Sequence, residues 1–155
     1  GRAVSTDDCT YSPATFMPSH QPGRIIDRDA VLAALGDDHA VVVNALTKAQ
    51  HEGTSKAHYG RPGGITGSVC LPALDLVAGD NTFLTSSELE AKFAETGIGM
   101  DQRVLTYCGG GVAATVDSFA LTLLGHDDVG IYDASLSEWA NDDSLPMTAA
   151  GLVKG

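Results

Sequence analysis

The chain has 155 residues, of which 43% are hydrophobic and 19% are charged, and this is the size and composition of one globular domain. Its 20 acidic and 9 basic residues give a formal net charge of −11. This charge excludes a non-specific nucleic-acid binder and an anchor on an anionic membrane, since both need a basic surface. No apolar stretch approaches the roughly 20 residues of a membrane-spanning helix.

The cysteines are three in number, at Cys9, Cys70 and Cys108. An odd count excludes a complete disulfide framework and favours a reducing, cytoplasmic setting. Because no pair of cysteines or histidines stands at ligand spacing, we predict no metal site and no cofactor. The first residues carry neither an initiator methionine nor a signal-peptide pattern, so we expect a fragment or a processed product.

Three segments divide the chain. Residues 1–24 are rich in turn-forming residues without periodicity, which predicts an extended linker or arm. Residues 25–150 contain the alternating helical and strand patterns of one domain, and residues 151–155 form a short tail.

The first half of the domain begins with a helical pattern. Apolar residues over 31–35 predict a short amphipathic helix that ends at Gly36 in a left-handed conformation. The apolar run 40–43 predicts a strand covered on both faces. Residues 53–67 hold five glycines, which indicates a long loop, and a short strand follows at 69–71.

The second half continues the alternation. Ser87 stands three residues before Glu90, the spacing of a capping box, and so predicts the start of a helix. Residues 103–107 then have the pattern of a strand.

Apolar residues at helical spacing over 112–124 predict a longer helix that ends at Gly125. A last strand follows at 129–132, and Ser135 is predicted to cap a short helix over 135–140. Strands and helices that alternate in this way predict an α/β fold with a parallel sheet.

The strongest candidate for a functional site is Cys108. It leaves a predicted strand at its carboxyl end, where ligands bind in open α/β sheets. The glycines at 109–111 and the following helix start can turn several N–H groups towards one point. Such a cup stabilises anions, including a thiolate, the reactive form of cysteine. We therefore hypothesise that Cys108 is a nucleophile.

Two other interpretations of this stretch remain open. Cysteine is among the most buried residue types, and Cys108 can simply be part of the core. A glycine-rich turn between a strand and a helix can also bind a nucleotide phosphate. The complete phosphate-binding loop pattern, with its Lys and Ser/Thr, is absent here.

Residues 60–69, 107–114 and 124–139 together resemble the rhodanese-like sulfurtransferases, with motifs such as Gly-Arg-Pro-Gly-Gly-Ile and Tyr-Cys-Gly-Gly-Gly-Val. The resemblance covers about residue 25 to residue 147. It is greatest to the C-terminal, catalytic half of the two-domain thiosulfate and 3-mercaptopyruvate sulfurtransferases. Their fold is rhodanese-like α/β, with a central parallel five-stranded sheet and helices on both faces.

The resemblance also implies a chemistry. Cys108 would take sulfane sulfur from a small anionic donor, thiosulfate or 3-mercaptopyruvate, and pass it as a persulfide to a thiol, cyanide or protein-thiol acceptor. Arg61 would bind the donor, and an N-terminal rhodanese-like domain would precede this one in the full-length chain. The persulfide would be held by the backbone N–H groups of Gly109, Gly110, Gly111, Val112 and Ala113.

Several residues depart from the family pattern. Asn44-Ala45-Leu46 stands where the family has Asp-Ala-Arg, and Gly64 and Ala113 replace residues with polar side chains. These departures motivate a second hypothesis, a non-catalytic or regulatory binding module of the same fold. A cysteine-dependent phosphatase or arsenate reductase ranks lowest, because the arginine that would clamp the oxyanion falls at position 114, which is alanine.

Overall fold

The computed structural model describes residues 4–99 and 101–150. Residues 4–24 contain no helix or strand, and only Arg24 among them is partly buried. The predicted tail, residues 151–155, lies outside the described residues.

The described residues form seven strands and five α-helices, which we number along the chain. The strands are β1 (Ile25–Ile26), β2 (Ala40–Asn44), β3 (Gly64–Ile65), β4 (Val69–Cys70), β5 (Arg103–Tyr107), β6 (Val129–Tyr132) and β7 (Met147–Thr148). The helices are α1 (Arg28–Ala34), α2 (Lys48–His51), α3 (Ser86–Glu95), α4 (Val112–Leu123) and α5 (Ser135–Trp139), and a 3₁₀ helix spans Ala73–Leu76.

Five of these strands form one parallel sheet in the order β1-β6-β5-β2-β4. The two longest, β2 and β5, are neighbours at its centre, with Val42 opposite Leu105. Both are apolar runs, because a central parallel strand is covered on both faces. Strands β3 and β7 pair separately as an antiparallel ribbon. The predicted α/β fold with a parallel five-stranded sheet is confirmed.

Helices cover both faces of this sheet, as predicted. One core cluster joins α1 and α5, where the Trp139 ring packs edge-on against Tyr132 with ring centroids 6.1 Å apart. The other joins α3 and α4, whose buried residues include Phe93 and Leu121. Burial of such side chains contributes about 1.5–3 kcal/mol each, so the packed helices fix where the strand ends lie.

Two local predictions are corrected by the structure. Helix α1 ends at Leu35 in a right-handed conformation, so Gly36 is not a left-handed stop. The capping box of α3 is formed by Thr85 and Glu88, two residues before the predicted pair, and its two side chains share a 2.6 Å hydrogen bond. Gly125 takes a left-handed conformation at the predicted end of its helix, and Gly97 takes one after α3.

The stretch around the predicted loop 53–67 is also more ordered than its glycines indicate. Helix α2 lies just before it, and β3 lies within it. Separately, none of the helices in the described ranges has the length and apolar character needed to cross a membrane.

Candidate active site

Cys108 follows the last residue of β5, and its side chain is only 2% exposed. Gly111 then takes a left-handed φ of 81° and caps α4, which begins at Val112. The first N–H groups of a helix have no partner within the helix. The N–H groups of Gly109 and Gly110 have no acceptor in the described part of the chain. The loop therefore offers a set of free donors beside the thiol.

Ser135 fixes the shape of this loop from the other side. Its Oγ accepts hydrogen bonds from the N–H of Cys108 at 3.0 Å and from that of Gly111 at 3.3 Å. It donates in turn to the Tyr132 carbonyl at 2.6 Å. Ser135 is fully buried and has a φ of 51°, a left-handed value that is rare outside glycine. Its predicted role as a helix cap is wrong, because its hydroxyl binds the loop.

The residues after Ser135 make further hydrogen bonds to the loop that follows β5. The N–H of Leu136 donates to the Cys108 carbonyl at 3.1 Å, and the N–H of Ser137 donates to the Gly109 carbonyl at 2.8 Å. The Ser137 hydroxyl reaches the same Gly109 carbonyl at 2.7 Å. The start of α5 thus holds the loop carbonyls away from the pocket and leaves the loop N–H groups to face a ligand.

Replacing Ser135 by alanine is expected to destabilise the fold by about 2 kcal/mol, because two buried N–H groups lose their acceptor. The looser loop should also slow any reaction at Cys108. The matched control is Ser137→Ala, since the Gly109 carbonyl keeps a second donor and the expected loss is about 1 kcal/mol or less. Urea unfolding measures both changes, and equal losses in the two variants would contradict the assigned role of Ser135.

A pocket of about 490 Å³ opens beside Cys108. It is bounded by the loop, by the first turns of α4 and by the segment after β2. Its apolar lining includes Leu46, Tyr59, Leu74 and Val116. A larger pocket of about 600 Å³ lies between β1 and α4, but Cys108 does not line it, so the smaller pocket is the candidate site.

The predicted loop residues fall into two groups. Gly109, Gly110, Val112 and Ala113 line the pocket together with Cys108. Gly111 does not, and its N–H is bound by Ser135. The Gly111 N–H is turned towards the start of α5, and the expectation that it donates to a ligand stays a prediction.

Arg61, the expected donor-binding cation, does not line this pocket. Its guanidinium donates to the main-chain carbonyls of Trp139 at 3.1 Å and Ala140 at 3.3 Å, and also to that of Asp142. It further pairs with the Asp143 carboxylate at 3.5 Å. These carbonyls lie at the end of α5 and just beyond it, where the negative end of the helix dipole attracts a cation. Arg61 thus stabilises the end of α5 in this structure, and its expected role in donor binding stays a prediction.

A buried network lies under the pocket. The Asn44 amide donates to the Tyr107 hydroxyl at 2.8 Å, and the Ile65 N–H donates to the same oxygen at 2.9 Å. Burial raises the pKa of Tyr107 to about 12, so its hydroxyl stays protonated. The Asn44 side-chain oxygen Oδ1 accepts from the Leu46 N–H at 2.8 Å. Asn44 therefore fixes the turn that carries Leu46 into the pocket wall.

Gly64 stands where the resemblance expects a histidine, and the structure shows why a side chain is missing there. A Cβ at this position would meet the His51 ring at 2.5 Å. Burial lowers the pKa of His51, which favours its neutral form. The ring of His51, supplied by α2, occupies the space beside Gly64.

The other cysteines lie away from the pocket. Cys9 is exposed in the arm, and Cys70 is half-buried at the end of β4. Burial, followed by the nearby Asp117 carboxylate, raises the pKa of the Cys70 thiol to about 11 and makes it unreactive. Residues 4–99 and 101–150 contain no cluster of His, Cys, Asp and Glu that could hold a metal ion.

Sequence reasoning missed three residues that shape the site. The sequence predicts Ser135 as a helix cap, and no local pattern reveals that its hydroxyl accepts hydrogen bonds from the loop after β5. Tyr59 lies against Gly109 closely enough that a Cβ there would overlap its ring. Leu74 lies on the 3₁₀ helix and is 79% exposed at the pocket edge.

Comparison with known proteins places this geometry in context. The family model described as Rhodanese-like domain matches residues 27–142. The chain is 36% identical over 140 residues to "Thiosulfate/3-mercaptopyruvate sulfurtransferase 1, mitochondrial" of Arabidopsis thaliana, covering 89% of this chain and 37% of that protein. It is 30% identical over 136 residues to the 3-mercaptopyruvate sulfurtransferase of Escherichia coli strain K12, covering 85% of this chain and 47% of that protein.

Among solved structures, the chain is similar to the anaerobic ergothioneine biosynthesis enzyme from Chlorobium limicola, in complex with trimethyl histidine. The TM-score is 0.76 at 23% identity, covering 83% of this chain and 32% of that one. At this identity the likeness concerns the fold alone. The chain spans less than half the length of each of these proteins.

Proposed function

The chain belongs to the family of rhodanese-like domains, and from this premise we propose that it is a sulfurtransferase whose Cys108 carries the sulfur. The observation that supports this most strongly is the placement of the Cys108 thiol in a pocket beside free loop N–H groups. Two relatives named as sulfurtransferases are similar in sequence to most of this chain, which supports the same class of reaction.

The proposed reaction has two steps. With thiosulfate, the Cys108 thiolate attacks the outer sulfur, the S–S bond breaks, and sulfite leaves with the electron pair. With 3-mercaptopyruvate, the C–S bond breaks instead, and the electron pair goes to carbon, which is then protonated to give pyruvate. Cys108 is left as a persulfide in both cases.

The second step returns the enzyme to its starting state. Cyanide or a thiolate attacks the outer sulfur of the persulfide, the S–S bond breaks, and the Cys108 thiolate is regenerated. The N–H groups of Gly109 and Gly110, with those of Val112 and Ala113 at the start of α4, would stabilise the persulfide anion.

Turnover with cyanide as acceptor tests this proposal. We expect the protein to release thiocyanate from thiosulfate or 3-mercaptopyruvate faster than an equal concentration of free cysteine does. Free cysteine is the control because it offers the same nucleophile without the loop. Failure to accelerate the reaction with either donor would count against the sulfurtransferase.

One observation favours a second candidate, a non-catalytic binding module. No lysine or arginine of residues 4–99 and 101–150 lines the pocket, and Arg61 is bound to the end of α5. A binding module would take up a ligand in the pocket without forming a persulfide on Cys108. Intact-mass analysis after incubation with the donors separates the two candidates, because only the sulfurtransferase gains the mass of one sulfur atom.

We also propose that this domain works beside a second domain in a longer protein. The support is that the matched relatives are more than twice as long as the region they share with this chain.

A further inference from the structure

The described residues that line the pocket beside Cys108 provide no positively charged side chain to bind an anionic donor. No residue that lines it, within the described part of the chain, is charged. Its wall is formed largely by Leu46, Tyr59, Leu74, Val112 and Val116. A dianion such as thiosulfate would lose water in this pocket without gaining a cation, and burial of an unpaired charge is unfavourable.

Two basic residues, Arg61 and Lys48, make their contacts outside this pocket. Arg61 binds the end of α5, and Lys48 on α2 is 80% exposed and pairs with Glu52 at 3.8 Å. Between Cys108 and residue 150 the sequence contains no lysine or arginine. The net charge of −11 adds a general repulsion of multiply charged anions. The donors that an anionic group can meet in this pocket are thus the loop N–H groups and the uncharged polar side chains of Thr47, Gln50 and Tyr59.

The apolar wall is built in by the fold. Leu46 is held by the hydrogen bond from its N–H to Asn44, which is itself fully buried and bound to Tyr107. Leu46 also packs against the core residues under the sheet end. Val112 and Val116 stand one turn apart on α4 and face the same pocket. With Leu74 on the 3₁₀ helix, three separate elements therefore present apolar groups to one space.

We propose that this pocket binds the apolar body of an organic sulfane-sulfur donor, one that carries at most a single negative charge and an aliphatic or aromatic substituent. This inference rests on the proposed sulfurtransferase activity and names its substrate class. The negative sulfane end lies against the loop N–H groups, and the substituent lies against Leu46, Leu74 and Val116.

A thiosulfonate, R–SO₂–S⁻, is a suitable probe of this class. The Cys108 thiolate attacks the outer sulfur, the S–S bond breaks, and the sulfinate R–SO₂⁻ leaves with the electron pair. Cys108 keeps the outer sulfur as a persulfide anion. The charges balance, and no oxidant or reductant is consumed.

Three donors separate the effect of charge from that of the apolar body. Thiosulfate is a dianion, methanethiosulfonate is a small monoanion, and benzenethiosulfonate is a monoanion with a phenyl group. Each rate of persulfide formation on the protein is divided by the rate with free N-acetylcysteine, which removes differences in intrinsic reactivity. We expect benzenethiosulfonate to exceed methanethiosulfonate by about 10-fold or more, and thiosulfate to be the slowest.

Leu46→Arg tests the same inference from the protein side. An arginine in the wall supplies the missing cation. The normalised rate of persulfide formation should therefore rise with thiosulfate and fall with benzenethiosulfonate, so that the ratio of the benzenethiosulfonate rate to the thiosulfate rate decreases or inverts. Leu123→Arg is the matched control, because it adds the same charge at the far end of α4, where Leu123 is 52% exposed. That variant should keep the wild-type ratio.

The outcomes distinguish this inference from the proposed function. Persulfide formation with thiosulfate equal to or faster than benzenethiosulfonate, after the normalisation, would overturn the apolar-donor inference and leave the sulfurtransferase intact. A ratio near one between the phenyl and methyl donors would do the same. No persulfide with any of the three donors would overturn the apolar-donor inference, and no persulfide with 3-mercaptopyruvate in the same assay would overturn the proposed sulfurtransferase as well.

Discussion

Replacing Cys108 by serine is expected to lower the turnover of sulfur from donor to cyanide by about 10³-fold or more. A serine hydroxyl is not ionised near neutral pH, and without an adjacent base it is a weak nucleophile. It also cannot form a persulfide. Because the substitution is nearly isosteric, the loop and its hydrogen bonds to Ser135 should persist, and the stability of the variant should stay near that of the wild type.

The matched control for this prediction is Cys70→Ser. Cys70 also lies at the end of a strand, but burial raises its pKa to about 11, so it is not a thiolate near neutral pH. The Cys70→Ser variant should therefore transfer sulfur at a rate near that of the wild type. A Cys108→Ser variant that still transfers sulfur, or a Cys70→Ser variant that does not, would contradict the assignment of the nucleophile.

Asp117→Asn is expected to stabilise the protein, by an amount that grows with pH. Asp117 lies on α4 with no exposed surface, and neither carboxylate oxygen has a hydrogen-bond partner in the described residues. Burial raises the pKa of this carboxyl from 3.8 to about 8. The native state therefore holds a proton on Asp117 that the unfolded state has already lost between these two values.

The sign of the pH dependence follows from this difference in bound protons. The unfolded chain binds fewer protons at Asp117 than the native chain does, so wild-type stability falls as pH rises from about 4 to about 8. Each pH unit within this window changes the free energy of unfolding by up to about 1.4 kcal/mol. Asparagine carries no proton to lose, so its advantage should reach ~3 kcal/mol near neutral pH.

Urea unfolding of both proteins at several pH values between 5 and 8, a range set within that window, measures this difference directly. Asp127→Asn at an exposed position controls for the removal of one negative charge from the acidic chain. A stability difference that stays constant, or that shrinks as pH rises, would show that Asp117 is not buried as a neutral acid.

Much of this fold could be predicted because its signals are local. The apolar runs that became β2 and β5 are typical of central parallel strands, and the glycines at 97 and 125 mark the ends of α3 and α4. Helix α2 was missed, although Thr47 and Gln50 have the spacing of a capping box and do form one. Short helices of this kind give too weak a periodic pattern to stand out.

The site could be predicted only in part, because its remaining features depend on tertiary contacts. The strand, the glycines and the helix start indicated Cys108 and its loop from the sequence alone. The contacts of Ser135 and Arg61 could not be predicted, since each makes its hydrogen bonds to a segment distant in the chain. The side chain of Arg61 crosses to the end of α5, some 80 residues later, and no local pattern reveals this direction.

The most direct test of the central claim is to locate the transferred sulfur. The reduced protein is treated with one equivalent of 3-mercaptopyruvate or benzenethiosulfonate, its free thiols and persulfides are trapped with an alkylating reagent, and its peptides are analysed by tandem mass spectrometry. If Cys108 carries the sulfur, one additional sulfur atom is expected on the peptide that contains Cys108. An additional sulfur on Cys70 or Cys9 instead, or none on any cysteine with either donor, would contradict it.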